Sequence, residues 1–442
     1  MEKNQYEISY LPNKFDVIWE KTKEMFNKEI KTLTDLNLTF FKGESDFLKE
    51  IEKSYPEDGE EFLKVYKHIS SLILELDKVF EKNEIDILKS NTTDEITLTR
   101  KQAAVIFILG FFNIFYSNKE KMQVNRFFDF DVIISSNKEP EVTKGRSFLN
   151  YMKTIGKWLE EKNEILDEKV TYIREKKYFD IKNYGEKKKL CDVEICESGS
   201  LFDSEASFFV DFANEYIGGG VLSGGCVQEE ILFTVEPEAV VSIFFMEKMD
   251  DNDAIRIDNL IKYSDYSGYG FSFKYEKSAI NDEKIIRHNI VAIDALCDFS
   301  GGVDKTSVRR DFIKAYVGFN LINYQNEGLQ NLKKTIATGN WGCGAFGGDF
   351  ELKFIQQLLA ATYAGVDKLY YYTFQREEMK NILINIEKIK SLDANDLYHR
   401  TLDSKLSKGK VLEIILNSNK EHLNKKNKNI KKNEMNKACY IY

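Results

Sequence analysis

The chain has 442 residues, of which 43% are apolar and 31% are charged, and its formal net charge at pH 7 is −9. This composition is typical of a globular protein, and the length predicts two or three domains, or one large domain with an accessory part. A protein that held a polyanion mainly by overall charge would be basic. We therefore expect no direct nucleic-acid binding, and we expect local N–H groups and side chains to hold any anionic ligand.

The cysteine and hydropathy patterns exclude further classes. Six cysteines, at positions 191, 196, 226, 297, 343 and 439, show no C-x-x-C spacing, so we expect no zinc site and a reduced intracellular compartment, cytoplasm or nucleus. Met1 to Tyr10 is polar and charged, and we expect no signal peptide. The longest apolar run, Ala103 to Tyr116, is too short for a membrane span and predicts a buried helix, with no membrane partner.

The first third of the chain predicts helices. Apolar residues recur there at three- and four-residue spacing, which is typical of amphipathic helices. Thr99 stands where it can cap a helix that begins at Arg100. This part contains no recognisable catalytic or ligand-binding motif, so we expect residues 1–160 to form a helical accessory region.

From about residue 161 the pattern changes to alternating strands and helices. Such alternation predicts a three-layer α/β domain with helices on both faces of the sheet, and we expect it over residues 161–416. The predicted strands are Lys189–Cys196, Ser207–Phe212, Ala254–Asp258, Phe271–Tyr275, Asn289–Ala295, Thr335–Ala337 and Lys368–Phe374, and the predicted helices are Pro237–Met249, Val308–Leu321, Phe350–Tyr363 and Glu377–Leu392.

The last segment, residues 417–442, is rich in lysine and asparagine and poor in apolar residues. Such a segment cannot bury enough surface to offset the entropy of ordering, so we expect a disordered basic tail. The alternative is a basic targeting or nucleic-acid arm.

A glycine-rich stretch follows a predicted buried strand that carries Asp211. Residues Gly218–Gly225, the first glycine loop, contain five glycines, and Gln228, Glu229 and Glu230 come directly after. Glycines let backbone N–H groups approach a ligand closely, and successive N–H groups can form an anion nest. The stretch therefore predicts an anion cradle with two carboxylates at its exit, suited to chemistry beside a phosphate.

Ordinary interpretations of this stretch remain open. A lone glycine loop can be a surface turn, and adjacent glutamates are usually a solvated pair or the acidic first turn of a helix. The stretch has neither the Gly-Lys-Ser/Thr ending of a P-loop nor the G-x-G-x-x-G spacing of a dinucleotide fingerprint. The sequence therefore argues against a kinase or an NTPase.

A second glycine-rich segment lies between a predicted strand and a predicted helix. Gly339–Asp349, the second glycine loop, reads G-N-W-G-C-G-A-F-G-G-D. Open α/β sheets bind ligands at such strand-to-helix turns, and the following helix adds free N–H donors. Trp341 and Phe346 could instead simply plug the domain. Two such loops together suggest two sides of one phosphate cleft.

At these residues the sequence resembles the poly(ADP-ribose) glycohydrolases. Their signature is G-G-G followed after a short spacer by Q-E-E, here Gly218–Gly220 and Gln228–Glu230, and the flanking V-D-F-A-N and E-P-E also fit. The resemblance continues downstream to at least Phe374. It implies a macrodomain-like three-layer α/β/α core with a mixed sheet, the ADP-ribose-binding fold, preceded by a helical accessory region.

The resemblance also implies roles for the acids. Glu230 is expected to be the general acid/base that protonates the departing ribose oxygen and then deprotonates a water. Glu229 is expected to bind ribose hydroxyls, and Asp211 to hold the catalytic loop or the ribose. Glu236, six residues past Glu230 and outside the motif, is expected to be dispensable for activity. No metal and no cofactor is implied.

The implied substrate-binding residues lie in both glycine loops and in aromatic segments. Aromatic rings would stack on the adenine. The alternative is that each ring packs in the hydrophobic core, as most single tyrosines and phenylalanines do. One departure is Leu201-Phe202, where the family has an Ile-Glu pair against the adenine. The implied residues are Asn214, Gly218, Gly219, Gly220, Gln228, Tyr269, Asn340, Trp341, Gly342, Cys343, Gly344, Ala345, Phe346 and Phe374.

Three functions compete. The first is a hydrolase that cleaves poly(ADP-ribose), with that polymer and ADP-ribosylated proteins as partners and ADP-ribose as product. The second is a macrodomain that reads ADP-ribose without cutting it, which would not need adjacent acids at Glu229 and Glu230. The third is an interaction protein that acts through its helical part, which nothing in residues 1–160 supports beyond its size.

Overall fold

The computed structural model of the chain describes residues 13–14, 18–80, 84–115, 128–281, 284–297, 303–324, 332–403 and 405–418. Residues 419–442 of the predicted tail therefore lie outside the described residues. Cys439 lies there too, and the other five cysteines are free thiols. Within the described ranges, none of the helices combines the length and the apolar character that a membrane crossing needs.

Helices dominate the first part of the chain, as the apolar spacing predicts. The helix from Arg100 shows why one forms there: Gln102 N donates to Thr99 Oγ1 (3.2 Å) and Thr99 N donates to Gln102 Oε1 (2.8 Å), so each side chain satisfies a free N–H group. The predicted buried helix is confirmed. The helices are α1 (Trp19–Phe26), α2 (Leu33–Phe41), α3 (Asp46–Ser54), α4 (Pro56–Leu74), α5 (Leu76–Val79), α6 (Arg100–Phe111), α7 (Asp131–Ile134) and α8 (Glu141–Glu161).

The strands of the described residues build a mixed eight-stranded sheet and two small two-stranded ones. The strands are β1 (Asn13–Lys14), β2 (Glu84–Ile85), β3 (Asp94–Thr99), β4 (Lys169–Lys176), β5 (Asp192–Cys196), β6 (Phe208–Ala213), β7 (Asp253–Ile261), β8 (Ser264–Ser267), β9 (Lys274–Ser278), β10 (Arg287–Asp294), β11 (Thr335–Gly339) and β12 (Lys368–Tyr372). The large sheet runs β3-β4-β7-β10-β6-β11-β12-β5, antiparallel from β3 to β10 and parallel from β10 to β5.

Helices cover both faces of the large sheet, so the predicted three-layer fold is confirmed. One face packs against α1–α8 and against α9 (Gln228–Val235) and α10 (Ser242–Phe245). The other face packs against α11 (Lys305–Asn320), α12 (Phe350–Ala364), α13 (Lys380–Lys390), α14 (Ala394–Asp403) and α15 (Val411–Asn417). Short 3-10 helices lie at Glu164–Asp167, Ile181–Asn183, Leu201–Asp203, Gly270–Ser272, Leu321–Asn323 and Glu377–Met379.

The central strand β6 decides which way the first acid points. Successive side chains of a strand face opposite sides. Phe208 and Val210 belong to the core beneath α11 and α12. Phe209 and Ala213 belong to the core beneath α9 and beneath helices α1–α8, which together form the helical layer. Asp211, midway between the latter two, therefore faces α9.

Three predicted elements differ from the structure. The helix predicted over Pro237–Met249 is confirmed only at α10 (Ser242–Phe245), because the residues before it form turns closed by hydrogen bonds such as that from Val240 N to the Pro237 carbonyl. The strand predicted over Phe271–Tyr275 is displaced to β9, because Gly268 and Gly270 turn the chain with positive φ. The strand predicted through Phe374 ends at Tyr372.

Helices α6 and α8 attach the helical layer to the rest of the fold. Buried Arg100 of α6 pairs with buried Glu238, which also accepts a hydrogen bond from Tyr263 Oη (2.7 Å). Ser147 of α8 donates to the Thr234 carbonyl of α9 (2.8 Å). The strand β3 also joins the sheet from within the segment predicted to be helical. The predicted boundary at residue 160 stays a prediction.

Candidate active site

Glu229 and Glu230 lie in the first turn of α9, and both are buried, with 2% and 7% of their surface exposed. The interpretation as a solvated pair is therefore wrong, and the interpretation as the acidic first turn of a helix is right for their position. Two adjacent buried carboxylates require strong compensation, because burial disfavours charge unless hydrogen-bond donors surround it.

Backbone N–H groups supply that compensation for Glu229. Gly218 N donates to Glu229 Oε1 at 2.6 Å, and Asn214 N donates to Oε2 at 2.9 Å. Both donors come from the chain between β6 and α9, so this carboxylate holds the loop against the helix.

Glu230 is held in the same way by two other donors. Gly220 N donates to Glu230 Oε1 at 2.9 Å, and Val227 N donates to Oε2 at 2.8 Å. The second bond is one half of a capping box, because it satisfies a free N–H group at the start of α9. Each oxygen of both glutamates thus accepts one backbone hydrogen bond.

Gly219 lies directly over the two carboxylates. Its φ is +50°, and a Cβ there would lie 2.6 Å from both Glu229 Oε2 and Glu230 Oε1. No side chain fits between these oxygens, so glycine is required both for space and for the left-handed backbone.

The first glycine loop does not form the predicted phosphate cradle with these N–H groups. Those of Gly218 and Gly220 are taken by the two glutamates. Those of Gly219, Val221 and Ser223 are taken by carbonyls within the loop or just before it. The loop's anion nest is thus occupied by the protein's own carboxylates, an arrangement that spacing alone did not reveal.

Gln228 also differs from its expected role as a substrate hydrogen-bonder. Its Oε1 accepts from Phe212 N (2.8 Å), and its Nε2 donates to the Val210 carbonyl (3.0 Å). The side chain amide is therefore used to fix α9 against β6, which in turn fixes the glutamates beside Asp211.

Asp211 is fully buried, and neither of its carboxylate oxygens has a hydrogen-bond partner among the described residues. Burial, then the charges of Glu230 and Glu236, raises the pKa of Asp211 well above its ordinary value. Burial, then Asp211 and Glu230, likewise raises the pKa of Glu229, although its two backbone N–H donors act in the opposite direction. Asp211 and Glu229 therefore favour their protonated forms.

Glu236, expected to be dispensable for activity, belongs to the same buried cluster as Asp211. Its side chain is 1% exposed and forms an ion pair with His288, and its charge acts on Asp211. The His288 ring lies 5.9 Å from the ring of Phe202, so the segment where an adenine contact was considered adjoins this acidic cluster. Glu236 therefore cannot serve as a control position outside the site for substitutions of Glu229 and Glu230.

The second glycine loop offers the free donors that the first loop lacks. It connects β11 to α12, and Asp349 caps α12 by accepting from Leu352 N (2.9 Å). The N–H groups of Gly344, Ala345 and Phe346 make no hydrogen bond to the described part of the chain. A Cβ built on Gly344 meets nothing within 4 Å. Consecutive free N–H groups beside open space, just before a helix, can bind an anion.

Three side chains of the second loop, those of Asn340, Trp341 and Cys343, point into the protein. Trp341 is fully buried and donates from Nε1 to the Ile293 carbonyl (2.9 Å). Asn340 Nδ2 donates to the Thr373 carbonyl (2.9 Å), and burial raises the pKa of the Cys343 thiol to about 12. The alternative that Trp341 plugs the domain is right, and these side chains support the loop while its backbone faces outward.

Exposed aromatic rings flank both loops. Tyr269 is 59% exposed, and the next residue, Gly270, donates from N to the Cys226 carbonyl (2.9 Å) at the end of the first loop. Phe374 is 48% exposed beside Gly339, where the second loop begins. Phe374 and Gln375 both have positive φ, +51° and +54°. Such strain in non-glycine residues persists only where surrounding structure enforces it, often at ligand sites.

Comparisons with known proteins agree with this geometry. Residues 181–381 match the family model described as poly(ADP-ribose) glycohydrolase, macro domain fold. Residues 55–174 match the model of the same family's helical domain. The two matches together cover most of the chain.

The chain belongs to the poly(ADP-ribose) glycohydrolase family. It is 32% identical to the probable poly(ADP-ribose) glycohydrolase 2 of Arabidopsis thaliana (48% of this chain, 49% of that one). It is 34% identical to glycohydrolase 1 of the same plant (44% and 48%) and 35% identical to glycohydrolase 1 of Caenorhabditis elegans (43% and 26%). The chain spans about half the length of the plant relatives it matches.

A glycohydrolase structure from Deinococcus radiodurans in complex with ADP-ribose is 12% identical and covers 44% of this chain and 86% of that one. Its TM-score of 0.30 is too low to support conclusions about this site. Among the described residues, no group of three or more His, Cys, Asp or Glu side chains could hold a metal ion.

Two lysines of this glycohydrolase-family chain reach the glycine loops and were missed by sequence reasoning. Lys144 of α8 donates to carbonyls of the first loop. Lys353 of α12 lies beneath the second loop, with Nζ 4.3 Å from the centre of the Trp341 ring and in an ion pair with Asp311. Lysines are usually exposed, so neither position carries a sequence signal that separates it from an ordinary helical lysine.

The unpartnered Asp211 predicts a pH-dependent stability difference. Because its pKa in the folded protein is raised, its stabilising contribution is complete below its unfolded pKa of about 3.9 and is lost as pH rises through the folded value. Asp211→Asn removes that loss. We expect the variant to be more stable than wild type at pH 7 by about 1–3 kcal/mol, with a difference that grows as pH rises, measured by denaturant unfolding.

Asp192→Asn, on the exposed edge of β5, is the matched control and should show a small, nearly constant difference. A destabilised Asp211→Asn protein at pH 7, or a difference that does not change with pH, would contradict the account of this residue.

Proposed function

We propose that the chain hydrolyses ribose–ribose O-glycosidic bonds in poly(ADP-ribose) and releases ADP-ribose. The observation that carries this proposal is the pair of buried glutamates, each held by two backbone N–H groups. A protein that only binds ADP-ribose gains nothing from two adjacent buried acids, whose desolvation is costly. Family membership and the similarity to plant poly(ADP-ribose) glycohydrolases support the same activity.

Glu230 is the proposed general acid/base. In its protonated form it gives a proton to the ribose oxygen that leaves as the bond between that oxygen and the anomeric carbon of the neighbouring ribose breaks. The resulting carboxylate then takes a proton from a water, whose oxygen adds to that anomeric carbon, so Glu230 ends protonated as it began. Glycosidases usually rely on such a carboxyl group near the leaving oxygen. The two backbone donors fix the carboxyl group while leaving each oxygen one further lone pair.

Glu229, Asp211 and Asn214 have proposed supporting roles. Glu229 binds ribose hydroxyls and positions the bond, since its carboxylate lies beside that of Glu230 under Gly219. Asp211 is proposed to lie protonated next to Glu230, because burial and then the charges of Glu230 and Glu236 raise its pKa. Asn214 Oδ1 accepts from Tyr216 N (3.0 Å), so its amide group is held in place with its Nδ2 available to the substrate.

The diphosphate of ADP-ribose is proposed to bind the second glycine loop. The free N–H groups of Gly344, Ala345 and Phe346 and the open space beside Gly344 support this. The ammonium of Lys353, which pairs with Asp311, lies beneath that loop and against the Trp341 ring. Tyr269, Phe346 and Phe374 are the proposed stacking rings. The oxocarbenium-like transition state would then lie close to the substrate's own negative charges.

The remaining assignments follow from this activity and are proposals too. The partners are poly(ADP-ribose) and ADP-ribosylated proteins, and the compartment is the cytoplasm, the nucleus or both. The catalytic domain comprises residues 161–416 and the accessory region residues 1–160. A reader that binds ADP-ribose without cleavage is the alternative function.

Substituting each glutamate by glutamine separates the two roles. Each oxygen of both side chains accepts an N–H group, so each substitution costs the loop one acceptor, and the pair is matched in its structural effect. For Glu230→Gln we expect kcat on poly(ADP-ribose) to fall by about 10²–10⁴-fold while ADP-ribose affinity, measured by calorimetry, changes little. For Glu229→Gln we expect a loss of about 10²-fold in kcat and clearly weaker ADP-ribose binding.

Glu215→Gln is the control, since Glu215 lies on the same segment but is exposed and pairs with Lys248. It should behave like wild type. Near wild-type turnover in Glu230→Gln would exclude Glu230 as the acid/base.

A bulky residue at Gly344 tests the proposed diphosphate site. Because nothing lies within 4 Å of a Cβ there, Gly344→Val should melt at nearly the wild-type temperature without ligand. The side chain would occupy the space in front of the free N–H groups, so the stabilisation by ADP-ribose should vanish. For wild type that stabilisation is about 2.7 kcal/mol at a ligand concentration of 100 Kd.

Gly185→Val is the control, because Gly185 is also exposed with no atom near its Cβ position. It should keep the full thermal shift. An unchanged shift in Gly344→Val would place the diphosphate elsewhere.

A further inference from the structure

The first glycine loop is held from beneath by a buried lysine of the helical layer. Lys144 lies in the first turn of α8, and its side chain is fully buried. Its Nζ donates to the Ser223 carbonyl at 2.5 Å and to the Gly220 carbonyl at 3.2 Å. This is a direct link between the helical part of the chain and the loop that carries the glutamates.

Burying an ammonium group is costly, and little at this position offsets the cost. Burial lowers the pKa of Lys144, and the nearby Cys226, Glu230 and Glu141 act in the opposite direction without reversing it. In the described residues its hydrogen bonds go to the two loop carbonyls and to no carboxylate. A strong ion pair is therefore not the reason for its burial, whereas fixing the loop is a sufficient one.

Gly220 transmits the position of Lys144 to Glu230. On one side of its Cα, the N–H group of Gly220 donates to Glu230 Oε1 (2.9 Å). On the other side, its carbonyl accepts from Lys144 Nζ. Glycine backbone is unusually free to rotate, so a donor on the carbonyl restricts the rotation that would carry the N–H group away from the carboxylate.

We propose that Lys144 is a positioning residue for Glu230. By holding the Gly220 and Ser223 carbonyls, it keeps the first glycine loop in the conformation in which the loop's N–H groups meet the two carboxylates. The helical layer thereby acts on the catalytic geometry through one side chain. The consequence for turnover rests on the proposed function, whereas the effect on the loop does not.

The test compares Lys144→Met with Lys153→Met. Lys153 is a second buried lysine of α8, but its Nζ pairs with Glu61 and Asp58 of the helical layer and not with the loop. Both variants remove one buried ammonium from the same helix while keeping an unbranched side chain. Hydrogen–deuterium exchange of peptides that cover residues 217–227 reports on the loop, with α12 peptides as an internal reference.

For Lys144→Met we expect several-fold faster exchange in the loop peptides, unchanged exchange in α12, and a kcat lower by about 10²-fold with little change in KM. For Lys153→Met we expect faster exchange in α4 and α8 only, with kcat and KM close to wild type. If Lys144→Met does not fold, Lys144→Gln is measured in its place, with the same expected pattern.

Three results would overturn the inference. Loop exchange equal to wild type in Lys144→Met would show that the lysine does not hold the loop, whether or not the chain cleaves poly(ADP-ribose). Faster exchange with unchanged kcat would show that the loop's position does not matter to Glu230. Equal losses of kcat in both lysine variants would show a general structural effect. A wild-type chain without turnover refutes the proposed function, and loop exchange still decides the role of Lys144.

Discussion

Everything at this site depends on four backbone N–H groups that point at two adjacent carboxylates. Donors from Asn214, Gly218, Gly220 and Val227 allow Glu229 and Glu230 to be buried side by side in the first turn of α9. Buried acids without such donors would be strongly destabilising. The glycines of the loop are needed because a Cβ at Gly219 would collide with both carboxylates. The two glycine loops thus differ: the N–H groups of the first hold the two buried glutamates, and the second has N–H groups with no hydrogen-bond partner in the described part of the chain.

The fold concentrates buried carboxyl groups at one place and supports them from two sides. Asp211 projects from the central strand β6 with no hydrogen-bond partner among the described residues, next to Glu230 and Glu236. Lys144 lies beneath the first loop and Lys353 beneath the second, and both come from helices. Strained or unsatisfied groups of this kind persist where the surrounding structure holds them, and they cluster at functional sites. The helical layer therefore contributes to the site directly, in addition to covering one face of the sheet.

Much of the fold followed from the sequence, because its signals are local. Thr99 and Gln102 form a capping box as the start of α6 predicts, and β6 and β11 lie where short apolar runs precede glycines. The family was evident from G-G-G and Q-E-E, since the glycines and the glutamates contact one another. The helix predicted from Pro237 is shorter in the structure because turns precede α10. The contacts of Gln228, Lys144 and Glu236 could not be predicted, because their partners lie far away along the chain or depend on which face of an element they occupy.

The central claim is that this arrangement of carboxyls cleaves poly(ADP-ribose) and does not merely bind its units. The most direct measurement is incubation of the wild-type chain with radiolabelled poly(ADP-ribose), followed by chromatography of the products, with calorimetry of ADP-ribose on the same preparation. The account predicts release of monomeric ADP-ribose without added metal or cofactor. Intact polymer after incubation, from a preparation that binds ADP-ribose, would contradict it and would identify the chain as a reader.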